Sequence, residues 1–68
     1  MHINFFLNGQ QYRTHNILTL QTILNYLNYK SNIFIVEYNN TISNQNNWKN
    51  QKISNNDKIE IITIVGGG

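Results

Sequence analysis

The stretch INFFLNGQQYRT, Ile3 to Thr14, places Asn8-Gly9 between two segments that alternate apolar and polar residues. Asn-Gly flanked by such segments is the strongest short-range signal for a two-residue hairpin turn, because both central residues must reach positive φ. Folding at Asn8-Gly9 sets Phe5 opposite Tyr12, Ile3 opposite Thr14 and His2 opposite His15. Met1, Ile3, Phe5, Tyr12 and Thr14 then share one face, and His2, Asn4, Phe6, Gln11, Arg13 and His15 the other. The first of these is the core side.

Downstream, NILTLQTILNYLNYK carries Leu20, Ile23, Leu24 and Leu27 at the i, i+3, i+4, i+7 spacing of a helix. Thr19 is the expected N-cap, Leu18 and Ile23 fit a hydrophobic staple, and Lys30 complements the C-terminal end of the dipole. The spacing predicts one helix of about ten residues lying on the core face of the hairpin. Ile33 to Tyr38 is a continuous apolar run, expected as an interior strand. Asn39-Asn40 suits a tight turn into a short strand at Thr41-Ile42. Trp48 sits in the polar stretch Ser43 to Lys52, where it is expected to pin a loop to the core. Ser54 to Asp57 reads as a further turn, and Lys58 to Val65 as the last strand.

The order is β-β-α-β-β-β, that of the α+β β-grasp or ubiquitin-like arrangement. By analogy with that fold, the first and last strands lie parallel at the sheet centre. The chain divides into a β-grasp domain over 1–65 and a flexible Gly66-Gly67-Gly68 tail.

Size and composition bound the function. Sixty-eight residues make one domain. No cysteine is present, so disulfides, thiolate metal sites and a cysteine nucleophile are excluded. Net charge is +2 and the pI about 9.2, but Arg13, Lys30, Lys49, Lys52 and Lys58 are scattered and form no nucleic-acid stripe. The charged fraction, 12%, is about half the usual value, with Asn supplying the missing polarity. The wealth of Asn, Ile, Lys and Tyr without Pro or Ala fits codon bias in an AT-rich genome, such as an organelle or endosymbiont. No apolar run approaches the roughly 18 residues that span a bilayer, and the N-terminus resembles neither a signal nor a transit peptide. The expected location is soluble and cytoplasmic, or the plastid stroma if the chain is organelle-encoded. His2 opposite His15 supplies only two ligands, fewer than a stable metal site needs. It is read as an exposed cross-strand pair, and no metal is expected.

In the second half, Glu37-x-Asn39, Ile42, Trp48, Ile53, Asp57-x-Ile59-Glu60-Ile61 and Val65-Gly66-Gly67-Gly68 form a pattern. It resembles the ThiS family, the ubiquitin-like sulfur carriers of thiamine biosynthesis. One departure is Asn56 where the family usually has Gly, and Asn is the next most tolerant residue of positive φ. The resemblance implies that Gly68 works through its terminal carboxylate. An adenylating, ubiquitin-activating-like enzyme activates it with ATP. Sulfur relayed from a cysteine desulfurase then leaves a thiocarboxylate, which thiazole synthase consumes. No cofactor is bound permanently, and the chain is a carrier and co-substrate, not an enzyme. Neither nucleic acid nor membrane is an expected partner.

The residue types suit that chemistry. An α-carboxyl with a pKa of roughly 3.3–3.7 is an anion at neutral pH and a poor electrophile, so another protein must activate it. Gly66 and Gly67, without Cβ atoms, thread into narrow partner sites. Ordering three tail residues costs on the order of 3–6 kcal/mol, which a surface on the folded body must offset. Alternation that buries Ile59 and Ile61 turns Glu60, Ile62 and Ile64 outward, and Phe6 joins them if the first strand lies alongside. Burying Phe6, Ile62 and Ile64 in a partner contributes roughly 4–9 kcal/mol. Plain sheet packing explains the isoleucines otherwise. Turn chemistry and solvated strand positions explain Glu37, Asp57 and Glu60 as well as partner contacts do. The competing functions are sulfur carriage for molybdopterin or tRNA thiolation, a ubiquitin-like modifier, and an interaction domain with an inert tail.

Overall fold

The computed structural model describes residues 2–27 and 34–63. Its strands are β1 (Ile3–Leu7), β2 (Gln10–Thr14), β3 (Phe34–Tyr38), β4 (Thr41–Ser43) and β5 (Asp57–Thr63), with the helix α1 (Leu20–Tyr26) between β2 and β3 and a single 3-10 turn at Gln45–Asn47. They form one mixed sheet in the order β2-β1-β5-β3-β4. The first and last strands are parallel neighbours, Phe5↔Asp57 to Leu7↔Ile59. β5 therefore lies at the sheet centre, as the β-grasp order requires.

The hairpin closes where the sequence places it. Asn8 and Gly9 take φ of 51° and 82°, and the register pairs Phe5 with Tyr12 and Ile3 with Thr14. The Phe5 and Tyr12 rings stack at 5.8 Å, and the His2 and His15 rings meet edge to face at 4.3 Å. Asn39, Asn40 and Asn56 also hold positive φ, the conformation Asn tolerates best after Gly. Asn56 thus serves its turn without a glycine.

Thr19 caps α1, its Oγ1 accepting from the Thr22 N–H at 3.2 Å. The helix spans seven residues, shorter than the ten expected, and Leu27 forms its C-cap. Lys30 and Ile33 lie outside the described residues. Leu20, Ile23 and Leu24 pack with Phe5, Leu7, Val36, Trp48, Ile53, Ile59 and Ile61 into one buried cluster. The polar loop before β5 is tied to the helix start, since Leu20 N–H donates to the Gln51 carbonyl, Gln21 N–H to that of Trp48, and Ile53 N–H to that of Leu18. Trp48 stacks on Phe34 at 5.5 Å and donates its indole N–H to the Ser43 carbonyl, so it anchors the loop as expected.

A second lock holds the turn into β5. The buried Asp57 carboxylate accepts from the Tyr38 hydroxyl, from Asn39 Nδ2 at 3.1 Å and from the Ser54 N–H at 2.6 Å. Asn39 in turn accepts the Lys58 N–H on Oδ1 at 2.8 Å. Burial, and then the Asp57 carboxylate beside it, push the Tyr38 phenol up to about 12. Asp57 thus holds β3 and β5 together from inside and is closed to a partner.

Candidate functional site

Side chains alternate across each strand, so the face of the sheet away from α1 can be read from the register. β5 buries Asp57, Ile59 and Ile61 and leaves Lys58, Glu60 and Ile62 on the opposite face. β1 buries Phe5 and Leu7 and turns Phe6, half-buried, to that same face. The cross-strand partners of Glu60 and Ile62 on β3 are Glu37 and Ile35, and Ile42 of β4 is opposite Glu37. The outer face thus carries Phe6 beside Lys58, then Glu60–Glu37–Ile42, then Ile62–Ile35.

Of the residues expected to dock a partner, Phe6, Glu60 and Ile62 share this face, and Ile64 lies outside the described residues. Their spacing is wider than the sequence implies. Phe6 is level with Lys58, four residues along β5 from Ile62, or about 13 Å at ~3.3 Å per residue. The apolar neighbour of Ile62 is Ile35, which the unbroken run Ile33–Tyr38 could not assign to a face. Ile42 is 67% exposed and Ile62 45%, so both offer apolar surface to a partner. Glu37 and Glu60 stand opposite each other on adjacent strands, a placement in which like charges repel and a cation supplied from outside relieves them.

Gly66, Gly67 and Gly68 lie beyond the described residues. What the structure fixes is the strand that leads to them. β5 is paired to β1 as far as Ile59 and to β3 as far as Thr63. Asn8, just past the end of β1, donates its N–H to the Ile59 carbonyl at 2.8 Å and accepts the Ile61 N–H on its side-chain Oδ1 at 2.7 Å. A turn residue thereby substitutes for one more strand position. No sequence pattern signals that second bond, because it joins residues 53 apart.

Across the sheet, an open apolar cavity of about 430 Å³ lies between the hairpin and α1, lined by Tyr12, Leu18, Ile23, Tyr26 and Leu27 among others. It gathers no set of titratable or nucleophilic side chains. Among the described residues no group of three or more His, Cys, Asp or Glu could hold a metal ion, and no helix is long and apolar enough to cross a membrane.

A five-stranded mixed sheet with one helix packed across it, and its last strand central and parallel to the first, defines a ubiquitin-like β-grasp protein. The sequence model of the ThiS family matches residues 5–68, the glycines included. The chain belongs to the ThiS family, a family of sulfur carriers. It is similar to the crystal structure of the thiamine biosynthesis protein ThiS from Geobacter metallireducens, with a TM-score of 0.81, 20% identity, and coverage of 97% of this chain and 100% of that one. It is 56% identical over 64 residues to the uncharacterized protein ycf40 of Trieres chinensis, covering 94% of this chain and 88% of that protein. With the ycf40 protein of Porphyra purpurea, also uncharacterized, identity is 39% over 66 residues, covering 97% and 93%.

Proposed function

We propose that this chain carries sulfur for thiazole formation in thiamine biosynthesis, as a co-substrate of other enzymes. A ubiquitin-activating-like enzyme attacks ATP with the Gly68 carboxylate, forming the acyl adenylate and releasing pyrophosphate. The persulfide supplied by a cysteine desulfurase adds through its outer sulfur to the activated carbonyl and AMP leaves, giving an acyl disulfide. A second thiol then attacks the inner sulfur, releasing the thiocarboxylate and forming a disulfide. Thiazole synthase then takes the sulfur and returns the carboxylate. The observation that carries this reading is the ThiS family match over residues 5–68, which takes in Gly66, Gly67 and Gly68.

The outer face supports a division of labour. Gly66 and Gly67 thread into the partner's site and cost conformational entropy when ordered, on the order of 1–2 kcal/mol per residue. Phe6 and Ile62, with Ile35 and Ile42 on the same face, supply the apolar contact that offsets it, and Ile64 is expected to add to it. Glu60 and Glu37 select a partner surface that offers a cation between apolar groups. Composition fits an organelle-encoded chain, with the stroma as the working compartment.

The test is intact mass spectrometry after incubation with ATP, a cysteine desulfurase with cysteine, a thiol reductant and the adenylating enzyme. Gain of the mass difference between sulfur and oxygen at the C-terminus is the expected result. A ladder of protein adducts indicates a modifier instead, and no covalent change refutes the carrier reading. Added thiazole synthase should discharge the thiocarboxylate. Discharge only by a molybdopterin- or tRNA-thiolating acceptor moves the chain to another branch.

A further inference from the structure

The flank of β5 that faces β1 is open at one end. Asn8 N–H meets the Ile59 carbonyl and Asn8 Oδ1 meets the Ile61 N–H, so the odd-numbered residues of β5 aim their backbone groups toward β1. The even-numbered ones aim at β3, as the bond from the Asn39 N–H to the Lys58 carbonyl at 2.7 Å shows. β3 continues alongside as far as the Phe34↔Thr63 pair. β1 does not, because its pairing ends at Leu7↔Ile59 and the chain reverses at Asn8-Gly9. Among the described residues, nothing donates to the Ile61 carbonyl or accepts from the Thr63 N–H. Past the hairpin turn, the central strand becomes an edge strand one lane wide.

We infer that this lane beside Ile61–Thr63 takes an extended backbone segment of the adenylating enzyme. A partner strand there donates to the Ile61 carbonyl and accepts the Thr63 N–H, extending the sheet as added strands do. The inference rests on the carrier reading. In that reading the enzyme holds Gly68, and five residues from Thr63 reach at most about 17–18 Å. The mouth of its site must then lie close to Thr63. The lane also adjoins Ile62 on the outer face, so one partner surface covers both. A second copy of this chain fits worse. Antiparallel pairing over three residues buries far less than the roughly 1,200–2,000 Å² of a stable interface.

The chain is short enough to be made by chemical ligation with an ester in place of the Ile62–Thr63 amide. The ester removes the Thr63 N–H, which belongs to no bond with β3, and makes the Ile62 carbonyl, which faces Ile35 of β3, a weaker acceptor. ATP–pyrophosphate exchange by the adenylating enzyme is then measured against carrier concentration for the native and ester chains. The half-saturating concentration should rise roughly two- to tenfold, while the thermal midpoint falls by only a few degrees from the weakened Ile62 carbonyl, leaving the chain folded at the assay temperature. In the complex, the native Thr63 amide should exchange its hydrogen more slowly than in the free chain. Equal half-saturation for the two chains, or a Thr63 amide that the enzyme leaves unprotected, overturns the lane while leaving the carrier reading intact. No exchange with the native chain refutes the carrier reading and the lane with it. A native dimer that the ester abolishes overturns the inference by assigning the lane to a second copy. Thr63→Pro, which deletes the same N–H at an edge position where proline is tolerated, should repeat the ester result.

Discussion

Replacing Ile62 by Asp separates docking from folding, because the two effects differ by orders of magnitude. Ile62 is 45% exposed, so about half of the roughly 1.5–3 kcal/mol of a fully buried isoleucine is left for a partner to gain. Ile62→Ala should therefore weaken binding of the adenylating enzyme by about 0.7–1.4 kcal/mol, or three- to tenfold. Ile62→Asp loses the same contact and puts an unpaired carboxylate into the interface, at several kcal/mol. Its expected loss is about 4 kcal/mol, close to a thousandfold.

The fold feels much less of this. The side chain of Ile62 points away from the core cluster and pairs across the strands with Ile35, and the half of it already buried contributes about 0.8–1.6 kcal/mol to the fold. For a domain of this size that lowers the melting midpoint by about 3–13 °C. Titration calorimetry with the adenylating enzyme gives the affinities, and circular dichroism melts give the stability. Ile42→Asp on β4 marks how far the contact extends. A native-like affinity for Ile62→Asp, with its melt intact, refutes the docking face.

Loss of the Gly68 carboxylate, by deletion of the residue or by amidation, should abolish thiocarboxylate formation in the same mass assay while leaving the melt unchanged. Asp57→Ala strands the Asn39 amide and the Ser54 N–H at about 1–3 kcal/mol per buried unpaired group, so its midpoint in thermal melts should fall by 10 °C or more. Because the folded Tyr38 phenol is held at about 12, above its ordinary value, the folded state keeps a proton that the unfolded state releases first. The stability it contributes is whole below about pH 10 and is lost as pH rises through about 12. Urea titrations across that range should show this slope in the native chain and a weaker one in Tyr38→Phe. Gly9→Ala forces a Cβ into φ of 82° and should cost about 1 kcal/mol in the same titrations.

What the sequence made legible was local. Asn8-Gly9 set the hairpin register, Thr19 and the spacing of Leu20, Ile23 and Leu24 set the helix, and the Asn pairs set the turns. Each feature is written within a few neighbouring residues. The face assignments of Ile59, Glu60 and Ile61 followed too, since Lys58 to Ile61 alternate, whereas β5 begins one residue earlier than expected, at Asp57. The run Ile33–Tyr38 does not alternate, and nothing in it shows that Val36 points inward and Ile35 outward. The offset of Phe6 from Ile62 depends on the register of a parallel pair joining the two ends of the chain, for which no turn residue gives a signal. Asp57 had the same difficulty. Its burial depends on Tyr38 and Asn39, 19 and 18 residues away, and a solvated turn acid looks the same in sequence.

The order of strands explains why the hairpin is short where it is. Over Asp57–Ile59, β5 is held by β1 on one side and β3 on the other, and its side chains reach the core beneath α1. Past Ile59, the β1 side offers only the Asn8 side chain, and past Ile61 no described residue bonds that flank. The grip on the strand thus falls from two sides to one over the residues that approach the glycines. A longer hairpin would pair Ile61 and Thr63 internally and satisfy the sheet better. It would also close the lane and wall off the outer edge beside Ile62. Ending β1 at Leu7 leaves the Ile61 carbonyl and the Thr63 N–H without a bond among the described residues, in the part of the strand that leads to the tail.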